Sequence, residues 1–469
     1  MGRIAMSQRL TVRILVALIS VGLASSAGAH SAMQQEAGGD VPNVADTAAP
    51  SATLFTNVRI FDGTRAQLSA PRNVLVQGST IARISADAID APAARRIEGR
   101  GRTLMPGLID MHWHSMFAGI PIQTLMTADT GYINIVAGAE SRRTLLRGFT
   151  TVRDVGGAVW GLKAAIDAGH ADGPRIWPSG AMITVTSGHG DFREASDLPR
   201  TVGQPGSRHD VLGDSAIADT PDELRVRVRE QLMRGASQIK LTAGGGVSSP
   251  HSPLDVVTFT EPEVRAAVEA ATDWGTYVTV HAYTPEAIQR AIRAGVKCIE
   301  HASLIDDATA RRMRDTGTWL STQPFPPELA DAFPKGSAQW QKAQEVFAGT
   351  EQTYRFAIKY KLKTAFGTDV LFSSALASQQ NRILASLTRW YSPAETLIMA
   401  TGTNAELLAL SGKRSPYAGR LGVVEEGALA DLLLVSGDPL TDITVITRPD
   451  ANFNVIMKDG KIYKDEPRN

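Results

Sequence analysis

The sequence predicts an α/β protein in which a parallel (β/α)8 barrel of the TIM type carries a small, discontinuous β-sandwich domain. Short apolar runs alternate with helical patterns between residues 106 and 412, and strand-rich segments lie on both sides of this region. A histidine pair also closes the first apolar run, at the point where a barrel strand would end. Eight strand and helix alternations over roughly 300 residues are typical of such a barrel.

The first 51 residues are predicted to precede the folded structure. Three arginines come before a short apolar stretch and a small-residue tract ending at Ala29, so residues 1–29 have the pattern of a cleavable signal peptide. A retained membrane anchor is the alternative, although a span needs about 20 apolar residues. Residues 30–51 lack periodicity, which indicates a disordered lead-in. We therefore expect a periplasmic or secreted protein without membrane contact after cleavage.

The sandwich is expected to form from two separate segments, residues 52–105 and 413–469. Both alternate apolar with polar residues and are interrupted by Asp-Gly or Gly-Ser, as in half-buried antiparallel strands. Neither segment has enough strands to bury both faces alone. The two segments are therefore predicted to combine into one domain.

The barrel strands are expected in eight apolar runs, which read LMPGLIDMHWH, GFTTVRDVG, RIWPSGAMIT, QIKLTAGGG, YVTVHAY, CIEHAS, TWLSTQP and TAFGTDVL. Helical patterns at residues 261–274 and 285–294 separate some of these runs. Two long connections, residues 187–214 and 324–344, have the length of lids or binding loops. A substrate carboxylate could meet one of their cations, although solvated loop charge is the alternative for each of Arg193, Arg200, Arg208 and Lys335.

The composition gives no indication of a nucleic-acid partner and excludes an intrachain disulfide. Lys+Arg and Asp+Glu both number 48, so no basic surplus points to nucleic acid. The hydrophobic content of 43% is enough for a large core. Cys298 is the one cysteine of the sequence, which excludes an intrachain disulfide, and it is expected to be a small buried residue.

Six side chains that can bind a metal each close a strand-like run. His112 and His114 stand at i and i+2, so on an extended segment they point to the same face. Zinc accepts imidazole nitrogen and carboxylate oxygen, and a catalytic site leaves a position for water. His112, His114 and Asp369 could hold one ion, and His281 with His301 a second. A shared anion between the two ions would offset their repulsion. Lys240 is the sixth of these side chains.

The order His-x-His, Lys, His, His, Asp resembles that of the amidohydrolase superfamily, a group of metal-dependent hydrolases. The words GLIDMHWH, GFTTVRDVGG, IKLTAGGG, VTVHAY, IEHAS and AFGTDV match as well, and the resemblance covers about residues 52–464. It implies two Zn²⁺ or other divalent ions per subunit and a Lys240 that is N6-carboxylated by carbon dioxide. A cationic lysine beside two dications would be repelled, whereas desolvation and nearby positive charge favour the neutral amine that carboxylation needs.

The resemblance also implies a mechanism. A hydroxide that bridges the two ions would attack the scissile carbonyl, because metal binding lowers the pKa of water to about 7. Asp369 would take its proton and pass it to the leaving amine. His189 or Tyr283 would help the metal to polarise the carbonyl. For His189 the alternative is a polar loop residue.

The words SGHGD, IKLTAGGG and HAY are most similar to the prolidase-like branch, which includes Xaa-Pro and Xaa-amino-acid carboxypeptidases and ochratoxin-hydrolysing amidohydrolases. This implies cleavage of the amide bond in N-acyl amino acids or small peptides, with ochratoxin A among the candidate substrates. Cyclic amide or lactone hydrolysis, as in the imidazolonepropionase-like branch, is the enzymatic alternative. A non-catalytic barrel scaffold is the remote one. Relatives often form homo-oligomers, so self-association is expected.

Several other polar residues receive structural expectations. Asp110 is expected to support the end of its strand, and Arg153 with Asp154 to form a structural pair near the barrel rim. The triplet 244–246 indicates a tight turn with backbone clearance. The remaining histidines without motif support are expected in loops, namely His170, His209 and His251.

Overall fold

The computed structural model of the protein describes residues 52–194, 196–197 and 206–466. The predicted signal peptide and lead-in lie outside these residues, and so does Arg200. In the described part of the chain, no helix combines the length and the apolar character that crossing a bilayer requires.

The strands of the described residues are β1 (Ala52–Ile60), β2 (Arg72–Gln77), β3 (Thr80–Ser85), β4 (Arg95–Glu98), β5 (Thr103–Pro106), β6 (Leu108–Trp113), β7 (Phe149–Asp154), β8 (Arg175–Pro178), β9 (Met182–Thr184), β10 (Ser215–Ile217), β11 (Ile239–Thr242), β12 (Val278–Ala282), β13 (Cys298–His301), β14 (Trp319–Thr322), β15 (Thr364–Phe366), β16 (Leu432–Val435), β17 (Phe453–Lys458) and β18 (Lys461–Asp465).

The α-helices are α1 (Ile122–Thr127), α2 (Thr130–Leu146), α3 (Trp160–Asp167), α4 (Arg208–Leu212), α5 (Pro221–Met233), α6 (Glu261–Asp273), α7 (Pro285–Ala294), α8 (Asp307–Thr316), α9 (Ala338–Tyr360), α10 (Ser374–Ala377), α11 (Gln380–Ala385), α12 (Pro393–Ile398), α13 (Asn404–Leu408) and α14 (Pro449–Asn452). Segments of 3-10 helix lie at Pro327–Ala332, Ser386–Arg389, Ala409–Arg414 and Ile443–Thr447, and a π-helical turn lies at Met399–Thr403.

Strands from both ends of the described chain join in one eight-stranded sheet, in the order β18-β17-β16-β5-β1-β2-β3 with β4 beside β1. Strand β1 shifts register between Phe55 and Val58, so its first half pairs with β2 and β4 and its second half with β5. One hydrophobic core takes side chains from both halves of the sheet, including Val74, Leu432 and Val455. The two terminal segments therefore fold together.

The middle of the chain forms the (β/α)8 barrel from two parallel sheets, β6-β7-β8 and β10-β9-β11-β12-β13-β14-β15. Backbone hydrogen bonds join the sheets on one side, where Ser237 N–H donates to Pro178 O at 2.8 Å. On the other side Asp369 N–H donates to His112 O at 2.8 Å. These bonds link β8 to β11 and β15 to β6, so the carboxyl ends of the strands surround one rim.

The outer helices begin and end at residues that favour those positions. Thr260 and Glu263 form a capping box before α6, and Thr284 caps α7 ahead of a proline at its first position. Gly295 ends α7 with φ 100°, a left-handed conformation that favours glycine. Alanines such as Ala267 and Ala291 are buried in the core between these helices and the sheet.

The structure confirms the predicted helices and corrects two strand expectations. The run RIWPSGAMIT is not one strand, because Gly180 adopts φ 75° and separates β8 from β9. The three-residue strand β10 was not expected and pairs with β9 at the edge of the larger sheet. The connection 324–344 is also not a simple loop, since it contains a 3-10 helix and the first turns of α9.

Candidate metal centre

Five of the six predicted ligands lie at or just after the carboxyl ends of barrel strands, and Lys240 lies within β11, at the level of Thr279 of β12. The imidazoles and the lysine are 1–3% exposed, and the Asp369 side chain is 18% exposed. The strands β6, β11, β12, β13 and β15 are adjacent or close to one another around the rim. Each of them contributes one or two of the six groups. The residues concerned are His112 and His114 from β6 and its end, Lys240 from β11, His281 from β12, His301 from β13 and Asp369 after β15.

Five of the six groups form one close cluster. Asp369 Oδ1 lies 3.2 Å from His112 Nε2 and 3.4 Å from His114 Nε2, and ligand atoms of these three residues are all within 4.8 Å of one another. His301 Nδ1 lies 4.0 Å from Asp369 Oδ2. The His281 ring centroid lies 4.4 Å from that of His301. The fold therefore brings three of these groups within ligand distance of one another and places His301 and His281 beside them.

Each of the four imidazoles uses one ring nitrogen in a hydrogen bond to an outer acceptor. Because these acceptors carry no hydrogen, the bonded nitrogen must be the one that is protonated, and the other keeps its lone pair. Outer hydrogen bonds of this kind orient metal-binding histidines. They run from His112 Nδ1 to Glu300 Oε2 (2.9 Å), from His114 Nδ1 to Gly156 O (3.1 Å), from His281 Nε2 to Gly245 O (2.8 Å) and from His301 Nδ1 to Gln323 Oε1 (2.7 Å).

This arrangement fits a divalent cation. The free Nε2 lone pairs of His112 and His114 face the same oxygen of Asp369, and only a proton or a metal ion between them removes the repulsion. Burial lowers the pKa of His112, but the nearby carboxylates of Asp369 and Glu300 outweigh it and the pKa is raised. Burial lowers the pKa of His301 to about 3 and that of His281 well below 6.5, which keeps both rings in the neutral form that binds metal.

Lys240 lies in the same interior and interacts electrostatically with the cluster. Burial lowers its pKa, although the carboxylates of Glu300 and Asp369 act in the opposite direction. Among the described residues no carboxylate forms an ion pair with its ammonium group. The lowered pKa increases the share of the neutral amine relative to an exposed lysine, and the neutral amine is the form that reacts with carbon dioxide.

The backbone at the rim is held in unusual conformations. Asp369 has φ 50° and His301 has φ 75°, both in the left-handed region that costs energy for residues other than glycine. Asp110 holds the turn before Asp369, since its carboxylate accepts hydrogen bonds from Thr368 Oγ1 at 2.6 Å and from Thr368 N–H at 3.0 Å. It also accepts from His112 N–H at 3.1 Å. Asp110 thus lies where it can support the strand end.

Arg153 and Asp154 do not form the expected pair. They are consecutive strand residues and face opposite ways, so each is fully buried with a different partner. Arg153 Nη2 donates to Glu300 Oε1 at 2.6 Å, and Asp154 Oδ2 accepts from Ser115 N–H at 2.7 Å. Burial raises the pKa of Asp154 to about 6.

Glu300 is a part of the site that sequence reasoning missed. Its carboxylate joins Arg153 to His112, and it accepts a further hydrogen bond from Thr279 Oγ1. Burial opposes the charge of Glu300, but the Arg153 guanidinium beside it holds its pKa well below the usual value. Cys298, as expected, is buried. The signal that could have revealed Glu300 is an acidic residue inside the otherwise apolar strand CIEHAS.

His189 and Tyr283 lie beside the His281 end of the cluster. The ring centroids of His189 and His281 are 4.3 Å apart, and those of Tyr283 and His281 are 4.6 Å apart. His189 Nδ1 forms a hydrogen bond with Ser249 Oγ at 2.8 Å, and burial lowers its pKa to about 3. Both side chains are thus close enough to the candidate metal ligands to contact a substrate there.

Apolar side chains from the segment after β11 and from residues 325–347 pack in one cluster with Tyr283. We call this group the apolar wall; its members are Val247, Leu254, Tyr283, Phe325, Phe333, Trp340 and Phe347. Among the loop cations, Arg193 pairs with Asp191 at 2.6 Å, and Arg208 donates to Leu125 O and Met126 O at the end of α1. These two guanidiniums are already engaged within the protein.

The histidines without motif support differ from one another. His170 and His251 are exposed residues outside the regular elements. His209 is not a loop residue, because it is buried in α4 and its Nδ1 lies 2.9 Å from Asp214 Oδ2. The short helix follows from Ser207, whose side chain caps it, and from Gly213 with φ 85° at its end.

The chain is similar in sequence and in fold to known proteins over most of its length. The sequence profile described as the amidohydrolase family matches residues 103–463. The chain is 31% identical over 384 residues to ochratoxinase of Aspergillus niger, covering 77% of this chain and 75% of the relative. It is similar to the crystal structure of a prolidase complexed with N-methylphosphonate-L-proline (TM-score 0.81, 32% identity, 88% of this chain and 100% of that chain). It is also similar to a Xaa-Pro dipeptidase with bound methionine (TM-score 0.76, 31% identity, 88% and 100%).

Proposed function

Because the chain belongs to the amidohydrolase family, we propose that it hydrolyses the amide bond of N-acyl amino acids or small peptides with the help of two divalent cations, zinc first among them. The observation that carries the proposal is that Nε2 of His112 and Nε2 of His114 both lie close to one carboxylate oxygen of Asp369. The other ring nitrogen of each imidazole is hydrogen-bonded to an acceptor outside the cluster. The prolidase, Xaa-Pro dipeptidase and ochratoxinase relatives support the choice of bond.

The proposed division of ligands follows the family resemblance and is compatible with the closeness of His112, His114 and Asp369. His112, His114 and Asp369 would hold one ion, His281 and His301 the other, and a carboxylated Lys240 would contact both. Bound cations would polarise the scissile carbonyl and lower the pKa of water so that hydroxide is available near neutral pH.

The side chains of the protein would do the rest of the chemistry. Asp369 stays ionised, because the imidazoles around it hold the pKa of its carboxyl well below the usual value against the effect of burial. It can therefore accept a proton from the attacking water and transfer it to the leaving amine. His189 and Tyr283, at the edge of the cluster, would bind the substrate carbonyl or carboxylate.

Carboxylation of Lys240 has its own test. Lys240→Ala should bind one zinc equivalent or fewer where the parent binds two, because the anion between the ions is lost. Lys363→Ala, at a lysine outside the rim, is the control, and metal content is measured by mass spectrometry after equilibration with zinc and bicarbonate. Full metal content and full rate in Lys240→Ala would contradict a bridging role.

The apolar wall supports a preference for substrates with an apolar or aromatic group. The wall shares one apolar cluster with Tyr283, and the ring of Tyr283 contacts that of His281, so an aryl or aliphatic acyl group would pack against this side of the site while the amide reaches the metals. Ochratoxin A, which joins an aryl acid to phenylalanine, is a candidate on this basis.

A mixed panel decides among the substrate classes. Zinc-loaded protein is incubated with N-acyl-phenylalanine, Xaa-Pro dipeptides, ochratoxin A and lactones, and the products are identified by mass spectrometry. We expect release of a free amino acid from at least one of the first three. Activity on lactones alone would overturn the proposal in favour of the cyclic-substrate alternative, and the absence of stoichiometric metal would favour a scaffold.

Export and self-association complete the proposal. We expect mature protein from the periplasm or the medium to begin at His30, which N-terminal sequencing would show. Sedimentation of the purified protein would show a homo-oligomer. A full-length chain retained in the cytoplasm, or a monomer at micromolar concentration, would contradict the respective expectation.

A further inference from the structure

One loop contacts three groups of the proposed active site. Residues 244–252, here the 244–252 loop, follow strand β11. Gly245 O accepts the hydrogen bond from His281 Nε2 at 2.8 Å, and Ser249 Oγ is hydrogen-bonded to His189 Nδ1 at 2.8 Å. The Tyr283 hydroxyl lies close enough to the backbone N–H of Val247 to interact with it. The orientation of two histidines and a tyrosine therefore depends on the position of this loop.

The close approach of the loop to the site requires glycine. A Cβ atom on Gly246 would lie 1.9 Å from His189 Nδ1, and one on Gly245 would lie 1.6 Å from Pro253 O. Glycine also makes the unfolded and alternative conformations of a loop more accessible. A loop of this composition needs contacts from elsewhere in the protein to keep one conformation.

Lys342 of helix α9 supplies such contacts. Its Nζ donates to Ser252 O at 2.7 Å, to Ser249 O at 2.9 Å and to Gly246 O at 3.3 Å. An ammonium group has three donors, so all of them are used by carbonyls of one loop. In the described part of the chain no carboxylate pairs with Lys342. Within the described residues, its hydrogen bonds are therefore all to backbone carbonyls of this loop.

We propose that Lys342 is a positioning residue, whose ammonium group holds the 244–252 loop and through it the orientation of His281, His189 and Tyr283. The inference rests on the proposed function only in treating these three side chains as parts of an active site. It assigns to Lys342 no contact with the substrate. A cation with free donors would be suited to bind a substrate carboxylate, whereas this one is saturated.

The first test is Lys342→Met, which keeps the length of the side chain and removes the charge and all three donors. Hydrogen exchange of amides in the 244–252 loop should become faster, because the loop loses its hold. Zinc affinity, measured by competition with a chelator, should weaken about tenfold, as is typical when the outer partner of a ligand is disturbed. Lys359→Met is the matched control, since Lys359 lies on the same helix with an exposed side chain that pairs with Asp307.

Activity then separates positioning from direct binding. The value of kcat/KM should fall by a similar factor for a substrate with a free carboxylate and for its carboxamide analogue. If only the carboxylate substrate were affected, through KM, and loop exchange and zinc affinity stayed at parent values, Lys342 would be a substrate ligand and the inference would be overturned. Exchange and metal affinity need no substrate, so they remain decisive if the proposed substrate class is wrong.

Two further variants guard against a folding defect. Lys342→Arg keeps a cation within reach of the carbonyls and should retain slow loop exchange. Ser249→Ala removes the link between loop and His189, so combining it with Lys342→Met should cost less activity than the sum of the two single effects in free energy. Strict additivity of the two effects would contradict a shared route through the loop.

Discussion

At the scale of single residues, Glu300 shows how the barrel interior keeps a charge. Its carboxylate is fully buried, yet it remains ionised because Arg153 and His112 donate to its two oxygens. Arg153 in turn donates to Met111 O at 2.7 Å and to Tyr277 OH at 3.1 Å. The pair therefore connects the candidate ligand His112 of β6 to β7, to β13 and to the residue before β12.

Glu300→Gln is expected to destabilise the protein strongly. Removing one partner of a buried ion pair leaves the Arg153 charge uncompensated, which costs about 3–5 kcal/mol. Urea denaturation measures the change in the free energy of unfolding. Adding Arg153→Met to Glu300→Gln should recover part of the loss, because the unpaired cation is removed. A single variant within about 0.5 kcal/mol of the parent would show that the pair contributes little.

The same pair predicts a pH dependence. The pKa of Glu300 in the folded protein is well below its ordinary value of 4.5, so protons bind the unfolded chain more tightly. Its stabilising contribution is therefore complete above pH 4.5 and is lost as the pH falls toward the folded pKa. The free energy of unfolding should fall more steeply with acid in the parent than in Glu300→Gln. Parallel curves for the two proteins would contradict this assignment.

The candidate ligands were predicted from sequence to meet at one rim, whereas the contacts of Glu300 were not predicted. His112 and His281 lie near the carboxyl ends of their strands and Lys240 lies within β11, each in a recognisable sequence motif. In a regular strand the side chains alternate between the two faces, so the face of each residue can be predicted. His301 has φ 75°, so the regular alternation of side chains between the two faces of a strand is broken there. The side chains of Glu300 and His301 are therefore both buried inside the barrel. The hydrogen-bond partners of the histidines come from distant segments, and spacing along the chain does not reveal them.

At the scale of elements, helix α13 closes the barrel where strand pairing is sparse. Asn404 Nδ2 donates to Ile109 O at 2.8 Å and to Phe366 O at 2.9 Å, and its Oδ1 accepts from Phe366 N–H at 3.0 Å. One amide thus bridges β6 and β15, the strands that bear or precede His112 and Asp369. The sequence predicted the strand runs, apart from the break in RIWPSGAMIT and the added β10, but it did not predict this bridge, because a polar residue in a helix has no recognisable tertiary partner.

Asn404→Leu should lower the free energy of unfolding by about 2–3 kcal/mol or more, since it leaves buried backbone groups of both strands without partners. Glu406→Ala, at an exposed position of the same helix, should change stability by less than about 0.5 kcal/mol. Urea denaturation of both variants gives the comparison. Equal, small effects would mean that the backbone bonds alone close the barrel.

At the scale of the whole molecule, the candidate metal centre joins segments that are far apart in sequence. Its residues run from position 112 to position 369 and come from opposite sides of the junction between β15 and β6. Bound cations would therefore cross-link the rim of the barrel in the folded state only. The predicted strand order explains why these positions meet at one rim. How close they come depends on the hydrogen bonds and on helix α13, which close the barrel between β15 and β6.

Metal removal should therefore lower the stability of the entire barrel and not of one loop. A ligand that binds only the folded state stabilises it by about 2.7 kcal/mol at a free concentration of 100 times its Kd. Chelation should accordingly lower Tm by about 5 °C or more, and zinc with bicarbonate should restore it. The double variant His112→Ala with His114→Ala is the control, because it lacks the ligands that face Asp369. Since a chelator that acted on the protein in any other way would destabilise both proteins alike, a shift in the parent alone assigns the stabilisation to this centre.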